Sequence, residues 1–187
     1  MWDNNKCMSD LKHDKSTKLL WVDLEMTGLE PNTDRILEVA AIVTDFDFNE
    51  LDNFEAVIYQ PPQVLAQMNE WSRTQHTASG LLERVQVSPN EQHVVNDFSS
   101  FIKTNFGQEP AILAGNSIHQ DRRFIRQWWP VVDKQLHYRM LDVSSYKIIM
   151  QNKYGVEFKK SETHRALDDI KESIAELQFY LGQKTSL

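Results

Sequence analysis

The 187-residue chain has a single cysteine, Cys7, which excludes an intrachain disulfide framework and any multi-cysteine zinc site. No apolar run approaches the roughly 18 residues that a membrane-spanning helix needs. The N-terminus lacks the basic start and apolar core of a secretory signal, so a soluble, cytoplasmic protein with no membrane partner is expected. Positive charge is also scarce: 20 Lys and Arg stand against 27 Asp and Glu, for a net charge of −7. Proteins that hold long polyanions neutralise many phosphates with basic side chains, so long duplex nucleic acid is disfavoured as a partner. No internal repeat, low-complexity tract or linker divides the chain.

What remains is one globular domain over residues 18–187, preceded by a flexible polar leader at 1–17. A chain of this length can bury about two-thirds of its unfolded surface. Strands are expected near 19–25, 36–44 and 53–59, followed by a helical region from Pro62. Ser88-Pro89-Asn90-Glu91 reads as a capping box with Pro89 at the first helical position, and Val95, Phe98 and Ile102 follow on one face of a helix ending near Gly107. A strand at 111–115 comes next, then a helix that ends before Pro130. A strand near 137–143, a helix at 144–154 closed by Gly155 and a terminal helix complete the order. That last helix carries a stripe of Leu167, Ile170, Ile174, Leu177 and Leu181. Strands first and then alternating elements give an α/β class. Glu38, inside the second apolar strand, needs a partner and is read as structural.

Asp23 and Glu25 close the apolar run Leu19-Leu20-Trp21-Val22. On a strand they project to one side, roughly 7 Å apart, where they can share divalent cations. A solvated strand end is equally compatible with the pair alone. Asp121 follows Asn116-Ser117 near a helix start, where the dipole favours an acid in any case. His164 precedes the terminal helix, with Asp168 and Asp169 after it. In an ideal helix Asp168 would share a face with His164. Asp169, however, borders the small residues Ala166 and Ser173, while Asp168 lies beside Lys171 and Glu172 on the polar side.

Together these residues resemble the DEDDh branch of the DEDD 3′-to-5′ exonucleases. The words Trp21-Val22-Asp23-Leu24-Glu25-Met26-Thr27-Gly28-Leu29, His76-Thr77-Ala78-Ser79-Gly80-Leu81, Gly115-Asn116-Ser117, Gln120-Asp121-Arg122-Arg123-Phe124 and Tyr138-Arg139-Met140-Leu141-Asp142-Val143 are similar to the oligoribonuclease family within that branch. The resemblance runs from about residue 19 to 181. It implies a ribonuclease H-like fold, a mixed central β-sheet flanked by helices, and it picks Asp169 as the last acid, with His164 in the entry loop.

The same resemblance implies two divalent ions, Mg²⁺ or Mn²⁺, consistent with all-oxygen ligands. Asp23 would bridge them, Glu25 and Asp169 complete one, and Asp121 support the other, directly or through water, with His164 as general base. Leu29 would wedge between the terminal bases, and Trp71 and His76 stack on them; for Trp71 an ordinary core position is the alternative. Ser117, Arg139, Ser144 and Ser145 would cap the substrate's 5′ phosphate. Tyr138 would reach into the partner subunit's site, implying a homodimer, and Trp128-Trp129-Pro130 would suit its interface; a surface tyrosine on a strand end is the alternative for Tyr138. The implied activity is exonucleolytic degradation of very short RNA, especially 5′-phosphorylated dinucleotides, to nucleoside 5′-monophosphates. A proofreading-type exonuclease on single-stranded DNA 3′ ends is the alternative enzyme, and a catalytically dead nucleic-acid-binding module the alternative from another class.

Overall fold

A computed structural model of the chain describes residues 16–159 and 166–183. The segments 1–15, 160–165 and 184–187 lie outside the described residues, and with them Cys7, most of the expected leader and His164. The strands are β1 Lys18–Met26, β2 Ile36–Asp45, β3 Glu50–Val57, β4 Ala111–Gly115 and β5 Leu136–Asp142. They form one five-stranded sheet in the order β3-β2-β1-β4-β5. β1–β2 and β2–β3 pair antiparallel, whereas β1–β4 and β4–β5 pair parallel. This is the mixed sheet expected of a ribonuclease H-like fold.

The helices are α1 Pro62–Ala66, α2 Glu70–Ala78, α3 Leu81–Gln86, α4 Glu91–Phe106, α5 His119–Trp128, α6 Pro130–Asp133, α7 Val143–Tyr154 and α8 Ala166–Gly182. Strand alternation sorts them between the two faces. Leu20, Val22 and Leu24 of β1 pack with Val94, Phe98 and Ile102 of α4 and with Phe124 and Ile125 of α5. Leu19 and Trp21 point the other way, into a second core with Ile170 and Leu177 of α8. Asp23 and Glu25 continue this second parity, so their side chains emerge on the face that α8 covers. α2 and α3 pack beside the sheet through a third cluster, Leu37, Met68, Leu81 and Val85. Among the described residues, no helix is long and apolar enough to cross a membrane.

The structure corrects several local expectations. The cap of α4 is Asn90, whose Oδ1 accepts from His93 N at 3.0 Å; Ser88 Oγ instead donates to Arg84 O at 2.6 Å. Asparagine caps as well as serine does, and the register slips by two. β3 runs 50–57 rather than 53–59, because Tyr59 N leaves the sheet to donate to Pro89 O at 2.8 Å. The buried face of α8 comprises Ala166, Ile170, Ser173, Glu176, Leu177 and Tyr180, while Leu181 is 55% exposed. Trp129 is wholly buried and its Nε1 donates to Glu91 Oε1 at 3.0 Å. Trp128 lies partly buried beneath the Arg35 guanidinium, 3.5 Å from its ring centre. Within the chain, Trp129 is thus a core residue and Trp128 packs through a cation-π contact.

Candidate active site

The site lies where β1 outruns β4. Their pairing covers only Leu19–Trp21, and beyond it the Leu24 N–H donates to Asp121 Oδ1 at 3.0 Å. Asp121 in the first turn of α5 thus extends the edge that β4 leaves, buried at 6% exposure. β4 comes close to β1 before turning away: a Cβ on Gly115 would lie 2.9 Å from the Val22 carbonyl oxygen. Near the same end of β1, the carboxylate oxygens of Asp23, Glu25 and Asp169 lie within 4.8 Å of one another. Of the two candidate acids on α8, Asp169 is the one that joins this cluster. Asp121 is not one of this trio: its Oδ1 accepts from the β1 backbone, and its charge is felt by Glu25.

Oxygen donors at this separation suit a hard divalent cation. Burial, then the neighbouring Glu38, Asp169 and Asp121 carboxylates, push Glu25 up to about 7. Burial, opposed by backbone N–H donors and reinforced by Asp142, pushes Asp121 to about 7 as well. Glu38 is the cross-strand partner of Glu25, so the two share a face. Arg84 Nη1 meets Glu38 Oε1 at 2.9 Å, balancing a charge that would otherwise add to the cluster. This supports the structural reading of Glu38, but the partner, on α3, was not foreseen.

Leu29 caps a turn built by Asp34, whose Oδ1 accepts from Thr27 Oγ1 and Oδ2 from Glu30 N, both at 2.9 Å. The turn requires Gly28, where a Cβ would fall 2.5 Å from Asp34 Oδ2. Leu29 is 71% exposed at its tip, and Trp71 on α2 is 69% exposed, so Trp71 is not a core residue. His76, unlike Trp71, is buried. Its ring is 4% exposed, with Nε2 at 2.8 Å from Met26 O and Nδ1 at 3.8 Å from Glu25 Oε2. Burial holds its pKa below the ordinary value. In this position it braces the β1 end and Glu25.

Of the residues expected to cap a phosphate, Ser117 and Ser144 meet just beyond the C-terminal ends of β4 and β5. Ser117 adopts φ 51°, rare for a residue with a side chain. Its N–H is shared by Asp142 Oδ1 and Ser144 Oγ, each at 3.0 Å, and its hydroxyl lies 3.2 Å from that of Ser144. Asp142 caps α7 through Ser144 N at 3.0 Å. Ser145 and Arg139 are exposed nearby in sequence, and the Arg139 guanidinium carbon lies 5.2 Å from the centre of the Tyr138 ring. Tyr138 is 71% exposed on β5, an edge strand. Arg122 holds that stretch through Nη1 to His137 O at 2.6 Å and Tyr138 O at 3.3 Å.

Behind the cap lies a network that sequence reasoning missed. Asn116 Nδ2 donates to Ser173 Oγ at 2.8 Å and to Glu176 Oε2 at 3.1 Å, and Glu176 is wholly buried. The available signal was an acid set among the apolar residues of the terminal helix.

An exonuclease family model of the RNase T type matches residues 20–177. The oligoribonuclease of Francisella tularensis subsp. holarctica (strain OSU18) is 46% identical over 174 residues, covering 90% of this chain and 97% of that protein. The oligoribonuclease of Shewanella loihica is 45% identical over 170 residues, covering 88% and 93%. Among solved structures, exonuclease I from Methylocaldum szegediense superposes with a TM-score of 0.66 at 16% identity, over 86% of this chain. Escherichia coli exonuclease I in complex with a dT13 oligonucleotide gives 0.63, also at 16% identity, over 88%. The chain spans 40% of the length of each of these two structures, and the likeness shows the shared ribonuclease H-like fold. Sequence likeness over nearly all of this chain and its relatives, on a fold that ends its central strand in clustered carboxylates, makes the chain a nuclease of the oligoribonuclease family.

Proposed function

We propose that the protein is a 3′-to-5′ exoribonuclease that hydrolyses very short RNA, especially 5′-phosphorylated dinucleotides, to nucleoside 5′-monophosphates. The observation that carries the reading is the meeting of Asp23, Glu25 and Asp169 oxygens within 4.8 Å in a chain of this family. Asp23, Glu25 and Asp169, with Asp121 beside them, would hold two divalent ions, Mg²⁺ or Mn²⁺. When bound, such ions lower the pKa of a water and stabilise charge on the attacking and leaving oxygens. In the reaction a water oxygen bonds to phosphorus as the bond to the 3′ oxygen breaks. His164 removes the water's proton.

The remaining groups bind and orient. Leu29 separates the terminal bases, and Trp71 stacks on one, a contact that tolerates any base because each offers a π-face. Arg139, Ser117, Ser144 and Ser145 receive the 5′ phosphate, the guanidinium through paired charge-assisted hydrogen bonds. A substrate that ends at the cap fits, and a longer one must forgo it. A net charge of −7 agrees with a small substrate held by local contacts. The protein works as a homodimer in which Tyr138 completes the opposite site. Tyr138 and Met140 are exposed on edge strand β5, and Ile148 and Ile149 on the following helix are 62% and 54% exposed.

The test is hydrolysis of dinucleotide RNA and of single-stranded DNA in Mg²⁺ by wild type and Asp23→Asn. Rapid dinucleotide turnover that Asp23→Asn abolishes in a protein of unchanged melting temperature is expected. Preference for DNA, or full activity of the folded variant, would contradict the reading.

A further inference from the structure

We propose that Asn116 is a positioning residue that fixes the distance between the carboxylate cluster and the phosphate cap, and thereby sets the length of substrate the enzyme prefers. The inference rests on the short-RNA reading above and adds the device that enforces it.

Asn116 uses every polar group of its amide. Both Nδ2 hydrogens are directed to α8, at Ser173 Oγ and Glu176 Oε2, at 2.8 and 3.1 Å. Its Oδ1 accepts from Ser144 Oγ on α7 at 3.3 Å. On the α8 side, the Ser173 hydroxyl donates to Asp169 O, one turn down, at 2.8 Å. Glu176 is fixed in turn by the Tyr180 hydroxyl on Oε1, at 2.9 Å. On the cap side, Ser144 Oγ lies 3.2 Å from Ser117 Oγ and accepts from Ser117 N at 3.0 Å. One amide therefore joins the helix that presents Asp169 to the turn that presents Ser117 and Ser144.

The choice of polar groups is the informative part. A buried carboxylate is weak as a source of stability, because apolar replacements of similar volume are often as good. Apolar packing, however, tolerates small slides, whereas a satisfied hydrogen-bond network admits one arrangement. A dinucleotide spans the interval from the metal-binding acids to the cap and must satisfy both ends at once. A misplacement of about 1 Å across such an interval can reduce reaction rate about a hundredfold. A longer RNA that does not use the cap is indifferent to it. The network thus acts on the ratio of short to long substrates rather than on binding in general.

The test exchanges the partners. Asn116→Asp alone sets a second carboxylate against Glu176, and adding Glu176→Gln restores the contact with donor and acceptor reversed. Binding of 5′-phosphorylated RNA two-mer and seven-mer to the full chain is measured in chelator, where nothing is cleaved, beside a melting curve. Wild type should favour the two-mer, Asn116→Asp should lose about tenfold of that ratio, and the double variant should regain most of it. Asn116→Ala, which adds no charge, carries the same expected loss should Asn116→Asp not fold. Equal weakening of both lengths, or a double variant that does not recover, overturns the ruler while leaving the function intact. A wild type without length preference contradicts the cap itself, and the inference falls with it.

Discussion

Asp169 and Asp168 are neighbours in sequence and differ in what surrounds them. The Asp169 carboxylate meets Asp23 and Glu25. Asp169→Asn should therefore lower the calorimetric affinity for Mn²⁺ by at least tenfold, roughly 1.4 kcal/mol, while Asp168→Asn changes it little. The reverse order would misplace the cluster. Protonation gives a second test at the same scale. Glu25 and Asp121 rise from ordinary values of 4.5 and 3.8 to about 7, so the metal-free native protein keeps protons that the unfolded chain releases. That stabilisation is fully present below about 4 and is lost as pH rises through about 7. Metal displaces the same protons. Binding at pH 6 should release more protons than at pH 8, and affinity should climb between them, as calorimetry in buffers of different ionisation enthalpy will show. Proton-neutral binding at pH 6 contradicts it.

For the elements, the sheet was legible because its apolar runs are long and their parity is clean. Caps and edges were less so. Ser88-x-x-Glu91 fits the capping-box pattern, yet Asn90 supplies the bond, since several adjacent residues can cap and the Ser88 hydroxyl is directed to Arg84 O instead. Asn90→Ala should destabilise the protein by about 1 kcal/mol, visible in denaturant unfolding, and by more than Ser88→Ala does; the opposite order would restore the sequence reading. The candidate acids were readable because strand parity and family spacing both constrain them. What sequence could not give were contacts made across the sheet: Arg84 on Glu38, His76 behind Glu25, and Asn116 on Glu176. Each joins residues whose separation in the chain carries no periodic signal. His76 shows what a motif does not carry, since its burial and its contacts with Met26 O and Glu25 are visible only in the fold.

For the molecule as a whole, the proposed homodimer and the proposed short substrate are each open to a direct test. Edge strand β5 and the exposed Ile148 and Ile149 provide an unpaired edge and apolar surface, the kind that isologous dimers cover. Light scattering should give twice the 21.9 kDa chain mass, and Tyr138→Ala should lose activity while remaining dimeric. An active monomer at assay concentration contradicts this. The central claim, an exonuclease tuned to the end of RNA decay, is tested most directly by following a 5′-labelled, 5′-phosphorylated heptanucleotide in Mg²⁺ on a sequencing gel. The account predicts slow shortening from the 3′ end through each intermediate length, with the dinucleotide consumed faster than it forms and the labelled mononucleotide as the end product. Accumulation of the dinucleotide as a lasting product would contradict it.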